Sequence, residues 1–246
     1  MALLLMTATV TPPPTATNLA RTNPVQRLGD YATALKFYVR QLEGGVFDGI
    51  VFVDNSASEI SPLRALAAAS PFASAIELIS YPGLDYPPEH GRAYGEMRLI
   101  EHAMAESHLI AAAAPDCFVW KATGRYVIQN VAELIGAASG AELVCHCRNL
   151  PQRWVDMYLM GWRKDAYAAV LGGAAEQIKD GPTGGSEVAF RRWVDAKARR
   201  YRIVRRFRRP PEIQGTRGYD NRRYEEQRLK AWSRRAFAAF APWVWI

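Results

Sequence analysis

The feature that most limits how this chain can fold is a recurring change of pattern. Short runs of β-forming residues are cut off by polar or proline-rich residues, and each is followed by a segment with helical spacing. Ala2–Val10 is one continuous apolar and β-branched run, and TPPPTATN ends it because proline removes backbone donors. Between Pro24 and Leu42, the residues Val25, Leu28, Tyr31, Leu35, Tyr38, Val39 and Leu42 recur near the 3.6-residue period, and Gly44-Gly45 stops that helix. Gly49–Val53 reads as a second strand that opens into Asp54-Asn55-Ser56. Leu63–Ala69 follows as a helix, Ala75–Ser80 as a strand, Tyr81–His90 as a Pro/Gly loop, Glu96–His108 as a helix and Cys117–Lys121 as a strand. This alternation predicts an α/β domain with a mostly parallel sheet covered by helices on both faces.

The second half has a looser pattern. It predicts a helix near 130–138, strands near 142–146 and 156–161, and a helix over 164–171. A glycine-rich loop over 172–185 follows, and Ser186-Glu187 reads as an N-cap opening a helix through Arg200. Residues 1–126 are therefore expected to form a ligand-binding half and 127–209 a second lobe of one domain. Residues 210–246 are expected to be a basic tail, helical from Asp220 to Phe240.

Charge separates the tail from the rest. The chain of 246 residues carries a formal +7, yet residues 191–235 alone hold 17 Lys/Arg against 5 Asp/Glu, so the remainder is acidic on balance. Trp232, Phe237, Phe240, Trp243 and Trp245 are interleaved with those arginines, a composition suited to an anionic membrane surface; nucleic acid is the less favoured partner. Three cysteines supply no disulfide framework and point to a cytoplasmic setting. Cys145-His146-Cys147 does not read as a metal site, because neighbouring strand residues face opposite ways and no second ligand pair has metal spacing. No nucleophile-elbow, Walker or zinc-protease motif is present.

In open parallel sheets ligands bind beyond the carboxyl ends of the strands. Here those ends are Thr9 and Thr11, then Asp54-Asn55-Ser56, then the segment FVWKATGRY over 118–126, where two cations close a core strand. A carboxylate can accept from a base or a ribose and cations suit phosphate, so these residues outline a nucleotide site. For Asp54 the alternative is a turn cap. For Lys121 and Arg125 it is an ion pair with Glu96 or Glu101 at a solvated surface.

The order of a strand ending in Thr/Pro, IVFVDNS, HGRAYGE opening a helix, and K-x-T-G-R-Y closing a strand resembles small bacterial GT-A-type glycosyltransferases of cell-surface polysaccharide assembly, over residues 1–200. The resemblance implies a GT-A-like fold and a nucleotide-sugar donor held by Thr9, Asp54, Asn55, Ser56, Arg92, Glu96, Lys121, Thr123, Gly124, Arg125 and Tyr126. It also implies a glycan or lipid-linked acceptor at the cytoplasmic membrane face. GT-A enzymes commonly hold a divalent metal with D-x-D after the strand that here ends at Lys121, and this chain has no D-x-D. Lys121 and Arg125 are therefore expected to neutralise the departing diphosphate without a metal cofactor, with Glu96 orienting the cations. Glu187 is the first candidate for the catalytic base and Asp156 the second, beside Trp154 and Trp162 as sugar-stacking aromatics.

Overall fold

The protein is described from a computed structural model, over residues 1–16, 19–136, 140–179 and 185–224. Its strands and helices, in chain order, are β1 (Ala2–Ala8), α1 (Pro24–Glu43), β2 (Gly49–Asp54), α2 (Ser61–Ala68), β3 (Ile76–Ser80), α3 (Gly91–Glu106), α4 (His108–Ala112), β4 (Phe118–Thr123), β5 (Val127–Ile128), α5 (Val131–Gly136), β6 (Leu143–Arg148), β7 (Trp154–Arg163), α6 (Tyr167–Val170), α7 (Ala174–Gln177), α8 (Ser186–Lys197), β8 (Ile203–Val204) and β9 (Ile213–Gln214). Seven strands form one sheet in the order β3-β2-β1-β4-β7-β6-β8. The first four are mutually parallel, β7 runs antiparallel to β4 and β6, and β6 pairs parallel with β8.

Alternation along β1 divides the core. Leu3 and Leu5 face one apolar layer with α3 and α8, while Leu4 and Met6 face another with α1 and α2. Helices cover both faces, as the alternation of patterns requires. α1 begins where Asn23 Oδ1 accepts from the amides of Val25 and Gln26 and Pro24 supplies the fixed φ of a first turn.

Two local expectations change. The loop over 172–185 contains the short helix α7. The cap of α8 is Gly185, with no side-chain hydrogen bond, and Ser186 is already helical. Of the predicted tail helix, residues 225–240 lie outside the described residues, while Thr216 and Arg223 form an isolated bridge. Residues 213–224 form a strap instead. β9 pairs with β5, and the Gly218 carbonyl accepts from the amides of Ala20 and Arg21 at 2.8 and 3.1 Å.

Pairing of β6 with β7 slips between Val144–Gly161 and His146–Asp156. Side chains on either side of the slip exchange faces, which carries Trp162 into the α3 layer of the core. At Gly161 the two antiparallel partners come close, and a Cβ there would lie 2.6 Å from Phe118 and 2.7 Å from Trp120. Gly161→Ala is accordingly expected to cost about 1–3 kcal/mol by overpacking, read as a lower urea midpoint at unchanged m-value.

Candidate functional site

The carboxyl ends of β1 and β4 and the first turns of α3 enclose a charged network. Lys121, on the same face of β4 as Val119, points toward α3, and its Nζ meets Glu96 Oε1 at 2.5 Å. The same ammonium donates to Thr123 Oγ1 at 3.1 Å and to the Met157 carbonyl. Glu96 Oε1 also accepts from Thr7 Oγ1 at 2.8 Å and from Thr123 Oγ1 at 3.3 Å. Lys121 is 0% exposed, and burial first of all lowers its pKa while Glu96 works to raise it.

This geometry corrects the expected role of Lys121. With three donor directions taken and no exposed surface, its ammonium cannot touch a diphosphate. The ion pair with Glu96 foreseen as the alternative is present, in the core rather than at a solvated surface. Glu96 does hold one of the two cations, as expected.

Asp54 is likewise buried and saturated. Its Oδ1 accepts from the Val10 amide at 2.8 Å and Ser56 Oγ at 2.7 Å; its Oδ2 accepts from the amides of Ser56 and Ser58 and from Ser80 Oγ. It ties together the exits of β1, β2 and β3 and has no acceptor left for a base or a ribose, which corrects its predicted contact with the nucleotide. Around it, Thr9 Oγ1 donates to Asn55 Oδ1 at 2.7 Å, and Ser56 Oγ accepts from the Thr11 amide at 3.0 Å. Gly124 is corrected too. The space where its Cβ would stand is filled by the Thr7 carbonyl at 2.8 Å and the Tyr31 ring at 3.3 Å, so the close approach is to the chain itself.

The acceptor-side candidates divide. Asp156 has both oxygens engaged: Oδ1 by Trp154 Nε1 at 3.1 Å, Oδ2 by Arg148 Nε at 2.5 Å and Tyr158 Oη at 3.0 Å. These bonds make it an anchor for Trp154, over whose ring the Arg148 guanidinium lies at 5.6 Å. Trp154 is half-buried, whereas Trp162 is 0% exposed and cannot stack on a sugar.

Glu187 opens α8 and enters this network. Its carboxyl is pushed up to about 7, by burial first and then by the Asp156 and Glu96 carboxylates, with Arg92 and Arg148 pulling down. The residue is exposed. Solvent tempers the burial contribution, but the two carboxylates act in the same direction without it. A carboxyl balanced near neutrality can give or take a proton.

Two guanidinia stand at the other side. Arg92 lies exposed in the first turn of α3. Arg125, buried after β4, donates through Nη1 to the Thr216 carbonyl at 2.9 Å and lies 5.3 Å over the Tyr126 ring, which meets Tyr224 edge-on at 5.1 Å. Three contributors escaped the sequence reading. Thr7 is the polar interruption in LLLMTATV, Arg148 directly follows the buried run VCHC, and Arg27 donates to the Thr9 carbonyl at 2.8 Å from within the apolar face of α1. In each case a polar residue at a position that periodicity assigns to the core was the available signal.

No protein-family model matches the chain, and no curated protein matches its sequence. Among solved structures it superposes on a protein from Bacillus anthracis assigned as a glucose-1-phosphate thymidylyltransferase, with TM-score 0.52 and 8% identity over 95% of this chain and 94% of that one. A protein from Desulfovibrio desulfuricans assigned as a nucleotide-diphospho-sugar transferase gives TM-score 0.46 and 16% identity over 83% and 78%. A galactosyltransferase in complex with donor and acceptor sugar analogs gives 0.40 and 12% over 69% and 60%. The first of these likenesses extends over nearly the whole of both chains and shows a shared mixed α/β fold, in keeping with the sheet and helix layers described above.

Removing one partner of the Lys121–Glu96 pair leaves the other charge stranded. Glu96→Ala is expected to cost about 3 kcal/mol, near the low end for a broken buried pair because Glu96 is partly exposed. Adding Lys121→Met should recover most of that loss in urea denaturation, and a double variant no more stable than Glu96→Ala would contradict the assignment.

Proposed function

We propose that the protein transfers a sugar from a nucleotide-sugar donor to the hydroxyl of a glycan or lipid-linked acceptor. The observation that carries this reading is Glu187 in the first turn of α8, where burial and then the Asp156 and Glu96 carboxylates push its carboxyl up to about 7 against the pull of Arg92 and Arg148. In the proposed step Glu187 takes the acceptor hydroxyl proton as that oxygen bonds to the anomeric carbon. The bond from that carbon to the diphosphate oxygen breaks, and its electron pair leaves on the nucleoside diphosphate. Arg92 and Arg125 stabilise the leaving charge, helped by the first-turn amides of α3. The half-buried Trp154, steadied by Asp156 and Arg148, is the sugar-stacking surface on the acceptor side.

The resembled enzymes place metal ligands where this chain has Lys121-Ala122-Thr123. Among the described residues no three His, Cys, Asp or Glu side chains group to hold a metal ion, and Lys121 of that triplet already neutralises Glu96. In this proposal no step is routed through a metal. Among the described residues no helix is long and apolar enough to cross a membrane. Contact with an anionic membrane surface is assigned in this proposal to the basic aromatic segment 225–246, which lies outside the described residues.

A sugar nucleotidyltransferase is the second reading, favoured by the near full-length fold likeness to the thymidylyltransferase assignment. The two readings differ in product: transfer to an acceptor releases a nucleoside diphosphate, and nucleotidyl transfer from a triphosphate releases pyrophosphate. Against the second stands the exit of β1, which offers Thr and Pro over 9–15 where a glycine-rich phosphate loop would be needed.

A panel of UDP-, GDP- and dTDP-sugars should contain at least one that raises the melting temperature and is turned over equally with and without EDTA. A flat panel would remove the donor site, and loss in EDTA restored by Mn²⁺ would remove the role given to the arginines. Glu187→Gln should lower kcat/KM by about 10²–10⁴-fold with little change in stability. Because the base acts when ionised, wild-type kcat/KM should rise with pH up to about 7 and then level. The glutamine variant should lack that limb.

A further inference from the structure

Arg92 comes from α3 and Arg125 from the end of β4, yet both guanidinia close on one residue of the strap. A Cβ at Gly218 would lie 2.8 Å from Arg125 Nη2 and 3.6 Å from Arg92 Nη1. Among the described residues neither arginine forms an ion pair, although one carboxylate elsewhere serves three arginines, Asp195 with Arg153, Arg191 and Arg205. Two like charges brought together repel unless anions offset them; Glu187 acts on Arg92 and Asp30 on Arg125, but neither reaches ion-pair distance, so a direct anionic partner between the two guanidinia is open.

Gly218 is not required by backbone strain, since its φ lies outside the left-handed region that Gly215 and four other glycines occupy. Nor do the arginines alone set its position. Its carbonyl accepts from Ala20 and Arg21, β9 pairs with β5, and Gln129 donates to Gln214 at 2.9 Å. The strap is fixed by other bonds, and what a glycine contributes at 218 is space.

We infer that Gly218 is a positioning residue of the donor site, and that its missing side chain leaves room for the Arg125 guanidinium to stand beside Arg92 and converge with it on the diphosphate of a nucleotide. The strap is then one wall of that site, which neither sheet nor helices complete. This rests on the donor reading above and adds to it the element that closes the diphosphate seat. An alanine methyl would displace the Arg125 guanidinium, which has little freedom to yield because Thr216 holds it.

The test is calorimetric titration of the full chain with UDP, GDP, the matching nucleosides and inorganic pyrophosphate. Gly218→Ala should weaken nucleoside diphosphate and pyrophosphate by about tenfold or more while leaving nucleoside affinity and melting temperature nearly unchanged. Equal diphosphate affinity in Gly218→Ala and wild type overturns the inference and leaves the donor reading standing. If wild type binds no nucleoside diphosphate, the donor reading fails; pyrophosphate binding weakened by Gly218→Ala would then keep the anion seat, and its absence would remove both. Should Gly218→Ala fail to fold, Arg92→Gln, at an exposed position, must show the same diphosphate-selective loss, and unchanged affinity overturns the inference.

Discussion

The structure of the site depends on one buried ion pair. Lys121 sits at the carboxyl end of the central strand, and an ammonium there without a partner would cost several kcal/mol. Glu96 supplies the partner from α3, and Thr7 and Thr123 satisfy the same carboxylate oxygen. The pair therefore pins the helix to the ends of two strands. It also sets where the first turn of α3, with Arg92, faces the space above the sheet. A cation at a strand end is here a structural device: Lys121 holds a helix against the sheet.

Asp54 performs the matching task on the other side. By accepting from five donors on three strand exits it stiffens the loop that begins IVFVDNS. Both residues are polar groups at strand ends that look available in sequence and are consumed in three dimensions. Groups that stay open, Glu187, Arg92 and Trp154, come from helix starts or from the outer end of a strand, where packing asks less of them. That division between consumed and open groups leaves the proposed chemistry to a carboxyl tuned by its neighbours rather than by a partner.

Legibility followed locality. The first four strands and α1 to α3 could be read because hydrophobic period and Pro/Gly punctuation act over a few residues. The slip in β6–β7 pairing could not, and with it went the side on which Trp162 falls. The strap was missed because β5 and β9 are two residues each and pair across more than 80 positions. Among candidate residues, Glu187 was picked from its place at a helix start and Asp156 from its aromatic neighbours, and the contacts that were legible are those of Asp156 with Trp154 and of Glu96 with a cation. The depth of Lys121 was not, although its place on the same face as Val119 was a usable sign.

By itself the sequence determined the α/β class, the parallel half of the sheet, helices on both faces, and the strand ends at which charge gathers. These follow from backbone periodicity and from the inability of proline and glycine to continue an element. Only the tertiary structure decided which of those charges are taken up by partners within the chain. That choice depends on whether a side chain meets a partner from a distant segment, as Lys121 meets Glu96 and Arg125 meets the strap. Desolvation makes such pairing obligatory in the core and leaves it optional at the rim, and depth is set by the packing of the whole sheet rather than by any local run of residues.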